Sequence, residues 1–194
     1  MDHIKSFLDD VNYSSSNLDK IIINKIILEL QKVQIKKGRL VILGVGGSAG
    51  NASHAVNDFR KLCKIDAYTP IDNVSEITAR TNDEGWETVF DSWMKIFKLN
   101  KNDKILIFSV GGGNVKKKVS INLVRAINYA KKCKSKVISI VGKNNGYAFK
   151  KSDLCLLIPT KNSKNVTPIS EAFQAVVWHL LVSHPLLQKN KTKW

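Results

Sequence analysis

The stretch GRLVILGVGGSAGNASHAVNDFRKLC, residues 38–63, decides the fold. Leu40 to Leu43 form a continuous apolar run that stops at glycines. A strand that is apolar on both faces belongs in a parallel sheet covered by helices above and below. Ser48 to Cys63 then predicts a helix that starts on a Gly-Gly-Ser turn. Strand, glycine turn and helix in that order form the opening unit of an α/β sheet.

The alternation continues outward from this unit. On the N-terminal side, Ile22, Ile26, Ile27 and Leu30 recur at helical spacing. They predict an amphipathic helix from Leu18 to Val33, ended by Gly38 and preceded by a looser stretch. On the C-terminal side a short strand or loop is expected over Ala67–Pro70. Residues 74–97 read as helical, with a turn around Asn82–Gly85. DKILIFSVGGG (103–113) repeats the strand-to-glycine pattern, and Ser120–Lys132 predicts a helix with Leu123, Ile127 and Ala130 on one face. KVISIVGK (136–143) and DLCLLIP (153–159) read as two further strands. Thr167 as N-cap and Pro168 as first helical residue open a last helix, which runs to about Ser183 and is stopped by Pro185. No solenoid repeat or low-complexity linker divides the chain. The expected fold is a single α/β domain, a parallel sheet flanked by helices on both faces. A helical extension is expected over 1–36 and the domain proper over 37–194.

Composition narrows the class. With 194 residues, 43% of them hydrophobic and 24% charged, the chain can bury a substantial core, which excludes disordered, collagen-like and disulfide-stapled types. Cys63, Cys133 and Cys155 are scattered in apolar or helical surroundings, as expected of reduced thiols in a cytoplasmic protein, and form no zinc-ligand cluster. The segment MDHIKSFLDD lacks the apolar core of a signal peptide, and no run is long enough for a bilayer span, so no membrane partner is expected. The formal charge of +15 attracts polyanions. The basic residues are dispersed, however, and no nucleic-acid motif accompanies them, so phosphorylated metabolites rank ahead of nucleic acid.

Two strand-to-glycine junctions carry the chemistry: Gly44-Val45-Gly46-Gly47-Ser48 and Ser109-Val110-Gly111-Gly112-Gly113-Asn114. In parallel sheets ligands sit beyond the carboxyl ends of strands, where glycine amides and helix N-termini favour anions. Neither junction is a Walker A or a dinucleotide motif. Tight turns alone are the blander reading; two such turns with Ser48, Ser109 and Ser120 nearby point to a phosphosugar pocket. His54 and Asp58, four residues apart, share one helix face and suit either a divalent metal or proton transfer, or else a simple exposed pair. On the last helix, His179 lies inside the apolar run AVVWHLL, where a core histidine is the commoner outcome.

The segment GVGGSAGNASHAVNDF (44–59) resembles the first phosphosugar-binding turn and helix of the SIS (sugar isomerase) domain, and more closely that of the phosphoheptose isomerases. DNVSEITARTNDEGW (72–86), KILIFSV (104–110), SINLVRAINYAKK (120–132) and KVISIVGKNNGYAFKKSDLCLLIP (136–159) extend the likeness in the right order. The resemblance implies substrate-binding roles for Ser48, Asn82, Asp83, Ser109, Gly111, Gly112 and Ser120. It implies that Asp58 is the base, one methylene shorter than the family glutamate, and His179 the acid. It also implies a divalent metal, zinc in the first instance, held by His54, Asp58, Glu171 and His179, with Glu171 standing where the family has glutamine. The family's Ser-Thr-Ser-Gly-x-Ser loop is altered. Ser109 and Ser120 match its first and last serines around a small insertion, and glycine amides with a lysine of Lys116–Lys118 replace the lost hydroxyls. Glu171 and His179 lie about 12 Å apart along a straight helix, so sharing one ion requires a distorted helix or a second subunit. The resemblance implies homotetramers with active sites between protomers.

The implied activity is aldose–ketose isomerisation of sedoheptulose 7-phosphate to D-glycero-D-manno-heptose 7-phosphate, towards nucleotide-activated heptoses for surface polysaccharide. A different phosphosugar and a non-catalytic phosphosugar-binding or protein-interaction module of the same fold are the competing readings.

Overall fold

The apolar runs pair with one another in parallel. The computed structural model describes residues 2–192. Its helices are α1 (His3–Ser16), α2 (Lys20–Ile35), α3 (Gly47–Cys63), α4 (Val74–Glu84), α5 (Val89–Ile96), α6 (Ile121–Lys132), α7 (Tyr147–Lys151) and α8 (Val166–Ser183). Its strands are β1 (Arg39–Leu43), β2 (Asp66–Tyr68), β3 (Lys104–Ser109), β4 (Lys136–Val141) and β5 (Leu154–Leu157), in spatial order β2-β1-β3-β4-β5. Every neighbouring pair is parallel.

Alternate residues of each strand feed two apolar layers. Leu40, Ile42, Leu106, Phe108, Ile138 and Ile140 face α2, α3 and α8, packing with Ile26, Leu30, Phe59 and Val177. Val41, Leu43, Ile105, Ile107 and Val137 face the other way, onto Phe90 and Met94 of α5 and Leu123 and Ile127 of α6. Covering both faces explains the unbroken apolar strands. Because α2 lies in the first layer, the N-terminal helices share one core with the sheet. The connections leaving β1 and β3 diverge to opposite sides, which opens a crevice at their carboxyl ends, where both glycine turns sit.

Two local expectations are corrected. The stretch before Leu18 is helical, as α1, capped by Asp2, whose carboxylate accepts from the Ile4 N–H. Its fully buried residues are the polar Asp10 and Ser14, while its short apolar stripe, Ile4, Phe7, Leu8 and Val11, places only Phe7 and Val11 against the core, partly buried. Asp10 accepts from the Lys161 and Asn162 N–H groups and from Asn165 Nδ2, and the Ser14 hydroxyl donates to the Pro159 carbonyl. The same contacts start α8 early: its N-cap is Asn165, so Thr167 and Pro168 fall inside the first turn, where proline's missing N–H costs little. The turn expected around Asn82–Gly85 within the helical stretch 74–97 is present: α4 ends at Glu84, Gly85 has φ 84°, and a short 3-10 turn at Trp86–Thr88 leads into α5.

At the opposite end of the sheet Asp103 is buried and accepts five hydrogen bonds. They come from the Arg39 N–H, Nε and Nη2 and from the Asn100 N–H and Nδ2, at 2.7–3.1 Å. This pairing raises the Arg39 pKa above its ordinary value. Asp103→Asn replaces one acceptor by a donor facing donors, and is expected to cost about 2 kcal/mol. Thermal unfolding should read this as a midpoint lowered by about 4–8 °C.

Candidate active site

Helices α3 and α8 pack side by side along a polar seam. Gly47, Asn51, His54 and Asp58 follow one another at helical spacing on the face of α3 turned to α8. At the top of the seam the Glu171 carboxylate lies against Gly47, where a methyl group would stand 2.6 Å from its Oε2. One turn down, Asn51 Nδ2 donates to the Glu171 carbonyl and to Gln174 Oε1, both at 2.9 Å. Lower still, His54, Asp58 and His179 meet.

Asp58 forms the floor of this cluster, with 8% of its side chain exposed, while the two imidazoles are more than half exposed. His54 Nε2 and His179 Nε2 each lie 3.6 Å from Asp58 Oδ2. The imidazole rings stand nearly perpendicular, with centroids 5.6 Å apart. Asn57 Nδ2 donates to Asp58 Oδ1 and Trp178 Nε1 donates to Oδ2, each at 3.1 Å. His179 Nδ1 lies 2.8 Å from the Ala175 carbonyl. A carbonyl only accepts, so Nδ1 carries the proton, and in the neutral ring Nε2 is the lone pair turned towards Asp58. The His179 lone pair and the Asp58 carboxylate thus present two donor atoms 3.6 Å apart. The three donor atoms fall within 4.8 Å of one another, and two nitrogens with one oxygen and an open side suit a divalent metal of the catalytic type. The residues therefore fit the ion that the sequence leads one to expect. Burial pushes the Cys63 and Cys155 thiols up to about 12, which keeps them protonated at neutral pH.

Glu171, expected as a fourth ligand, is not in this group within one chain. Helix α8 runs unbroken from Val166 to Ser183, so the eight-residue spacing leaves Glu171 about 12 Å up the axis from His179. The expected phosphate-binding residues gather elsewhere. Ser48 is buried in the first turn of α3. Ser109 Oγ accepts from the Gly112 N–H at 3.0 Å, which leaves its own proton free to donate outward. Gly112 and Gly113 adopt φ of +71° and +80°, conformations that favour glycine, whereas Gly111 is exposed. The insertion after the glycines is a small hairpin, closed by paired backbone bonds between Asn114 and Val119, with Lys116–Lys118 at its tip. Ser120 lines a cleft with Trp86, Glu87, Val115, Lys118 and Ile121. Asn82 and Asp83 are exposed in the last turn of α4, with Asn82 Nδ2 donating to Asp83 Oδ1. The groove at the His54–Asp58–His179 cluster is lined instead by Asn57, Lys61, Ser183 and Thr192. Ser48 and Asp58 are ten residues apart on α3, about 15 Å along its axis, so the glycine turns and the cluster occupy different levels of one protomer.

Sequence reading missed Asn57 and Trp178. Asn57 adjoins Asp58 and offered a local signal. Trp178, 120 positions away, is indistinguishable in sequence from its apolar neighbours.

No family model matches the chain. In three dimensions the chain is similar to a phosphoheptose isomerase from Francisella tularensis, with a TM-score of 0.78 over 93% of this chain and 92% of that one, at 20% identity. The fold is thus that of the SIS-domain phosphosugar isomerases, with the His54–Asp58–His179 cluster between two of its helices. In sequence the chain is 31% identical over 154 residues to the lincomycin biosynthesis protein LmbN of Streptomyces lincolnensis, matching 76% of this chain and 56% of that longer protein. It is also 30% identical over 141 residues to a phosphoheptose isomerase of Buchnera aphidicola subsp. Schizaphis graminum, 71% of this chain and 69% of that enzyme. The chain belongs to the phosphoheptose isomerase family, whose members are aldose–ketose isomerases of phosphosugars. Among the described residues no helix is long and apolar enough to cross a membrane.

Proposed function

We propose that this chain interconverts sedoheptulose 7-phosphate and D-glycero-D-manno-heptose 7-phosphate through an enediol, as a step towards nucleotide-activated heptose. The observation that carries the reading is the meeting of His54, Asp58 and His179, delivered by two helices and held within 4.8 Å. In this reading Asp58 takes the proton from the hydroxyl-bearing carbon C1 of the ketose. The electron pair of that bond forms C1=C2, and the carbonyl π pair passes to O2, which takes a proton from the imidazolium form of His179. Return of one proton to C2 and loss of one from O1 gives the aldose, with no net change in protons. His54 and Asp58, with His179 while its Nε2 is unprotonated, would hold a divalent metal, zinc in the first instance, whose chemistry when bound is to stabilise negative charge on adjacent substrate oxygens.

The glycine amides, Ser48, Ser109, Ser120 and a lysine of the hairpin would anchor the phosphate, and Asn82 and Asp83 the sugar. Binding energy at that remote end orients the reacting end. The separation of about 15 Å along α3 supports a site completed by a second subunit, which would bring Glu171 and the anion cradle to the cluster, within a homotetramer. Light scattering on the purified protein checks that assembly.

The test of activity is turnover of sedoheptulose 7-phosphate with and without zinc. Zinc-dependent turnover is expected, lowered about 100-fold in His179→Ala. Unchanged activity in that variant would refute the assignment. Thermal stabilisation by C5–C7 sugar phosphates without turnover of any of them would favour a binding module instead.

A further inference from the structure

We propose that Trp178 is a positioning residue for this site: its indole N–H holds Asp58 Oδ2 between the two imidazoles and thereby sets metal affinity. The inference rests on the metal-assisted reading above and concerns a residue that touches neither groove nor substrate.

An aspartate carboxylate rotates about a broad, roughly two-fold torsion, so nothing intrinsic aims one oxygen at a chosen point. Two donors do so here. Asn57 Nδ2 takes Oδ1, and Trp178 Nε1 takes Oδ2, the oxygen that both histidine Nε2 atoms face. An indole N–H only donates, in one direction in the plane of the ring. That direction is fixed by packing, because Trp178 is 2% exposed. Its ring lies 6.0 Å from Phe108, 5.1 Å from His54 and 4.7 Å from His179, centroid to centroid. The rigid core thus dictates where Oδ2 sits. The consecutive residues Trp178 and His179 straddle Asp58, one from the buried side and one from the groove. Outer-shell partners that orient a ligating group in this way typically change metal affinity or activity 10–100-fold when removed.

Trp178→Phe deletes the N–H and keeps an aromatic ring in the core. Zinc affinity, measured by competition with a chelator, is expected to fall 10–100-fold. The visible spectrum of the cobalt-loaded protein should shift, while the metal-free protein keeps its circular dichroism. For sedoheptulose 7-phosphate kcat should fall with KM nearly unchanged, because the indole lies behind the groove. His179→Ala is measured alongside. If it loses zinc while Trp178→Phe binds as tightly as the unsubstituted protein, the role of Trp178 is refuted and the metal site stands. If neither substitution alters zinc binding, the metal site fails and this inference with it. A second measurement needs no variant: with 15N-labelled tryptophan, one indole N–H signal is expected to move on zinc addition. Zinc binding that moves none of the indole signals overturns the proposal.

Discussion

Asp58→Asn is expected to lower isomerase turnover by about 10³–10⁴-fold while leaving the fold intact. The carboxylate has two duties in the proposed reaction, and the amide can perform neither. As a base it must accept a proton from carbon, and loss of a positioned base alone costs about 10²–10⁴-fold. As a ligand it supplies the charge that both imidazoles face at 3.6 Å, and an amide supplies none. Structure should survive because the amide oxygen of the substituted side chain can still accept from Trp178 Nε1, and the Asn57 amide can turn its oxygen inward. Circular dichroism and thermal unfolding should therefore match the unsubstituted protein. Zinc binding and turnover should both fail. A variant that keeps turnover within tenfold would remove Asp58 from the chemistry, whatever the protein's substrate.

The second large effect concerns the fold. At Gly44, immediately after β1, an added Cβ would stand 2.1 Å from the Ser48 carbonyl oxygen, 2.5 Å from its carbon and 2.8 Å from the Ala49 nitrogen. All three are backbone atoms of the first turn of α3, so no side chain can swing aside. Relief requires α3 to move away from the sheet, against a core that includes Ala52, Ala55 and Phe59. Gly44→Ala is expected to cost about 3 kcal/mol, at the upper end of overpacking penalties, and to lower the thermal midpoint by about 6–12 °C. Gly50, about one turn into the same helix, has nothing within 4 Å of the corresponding position. Gly50→Ala should raise stability by about 0.5–1 kcal/mol, because an exposed helical glycine is replaced by a better helix former. Opposite signs from one chemical change, six residues apart, separate crowding at the turn from helix propensity. Equal effects at both positions would refute the crowding argument.

The elements legible in sequence were those whose cause is local. Leu40–Leu43 and Ile105–Phe108 carry their strand character in apolar continuity, and Ile26, Ile27 and Leu30 carry a helix in their spacing. His54 and Asp58 were readable as a pair because four residues bring two side chains onto one helix face. Helix α1 was harder to read because its apolar stripe, Ile4, Phe7, Leu8 and Val11, stops at Val11, and its buried groups are an aspartate and a serine whose hydrogen bonds tie down the loop before α8. The hairpin at Asn114–Val119 was readable as an insertion but not as a structure, since it rests on one pair of backbone bonds.

The amino-acid sequence by itself determined the parallel sheet, its glycine turns at the strand ends, and a histidine and an aspartate one helical turn apart. The family resemblance already grouped His179 with them; only the tertiary structure decided that Trp178 holds the shared oxygen and that Glu171 rests against Gly47 instead. The reason lies in the forces. Periodicity and turn chemistry act between neighbours in the chain, whereas α3 and α8 are brought together by burial of apolar surface, which is non-directional and leaves no mark on the polar residues it carries along.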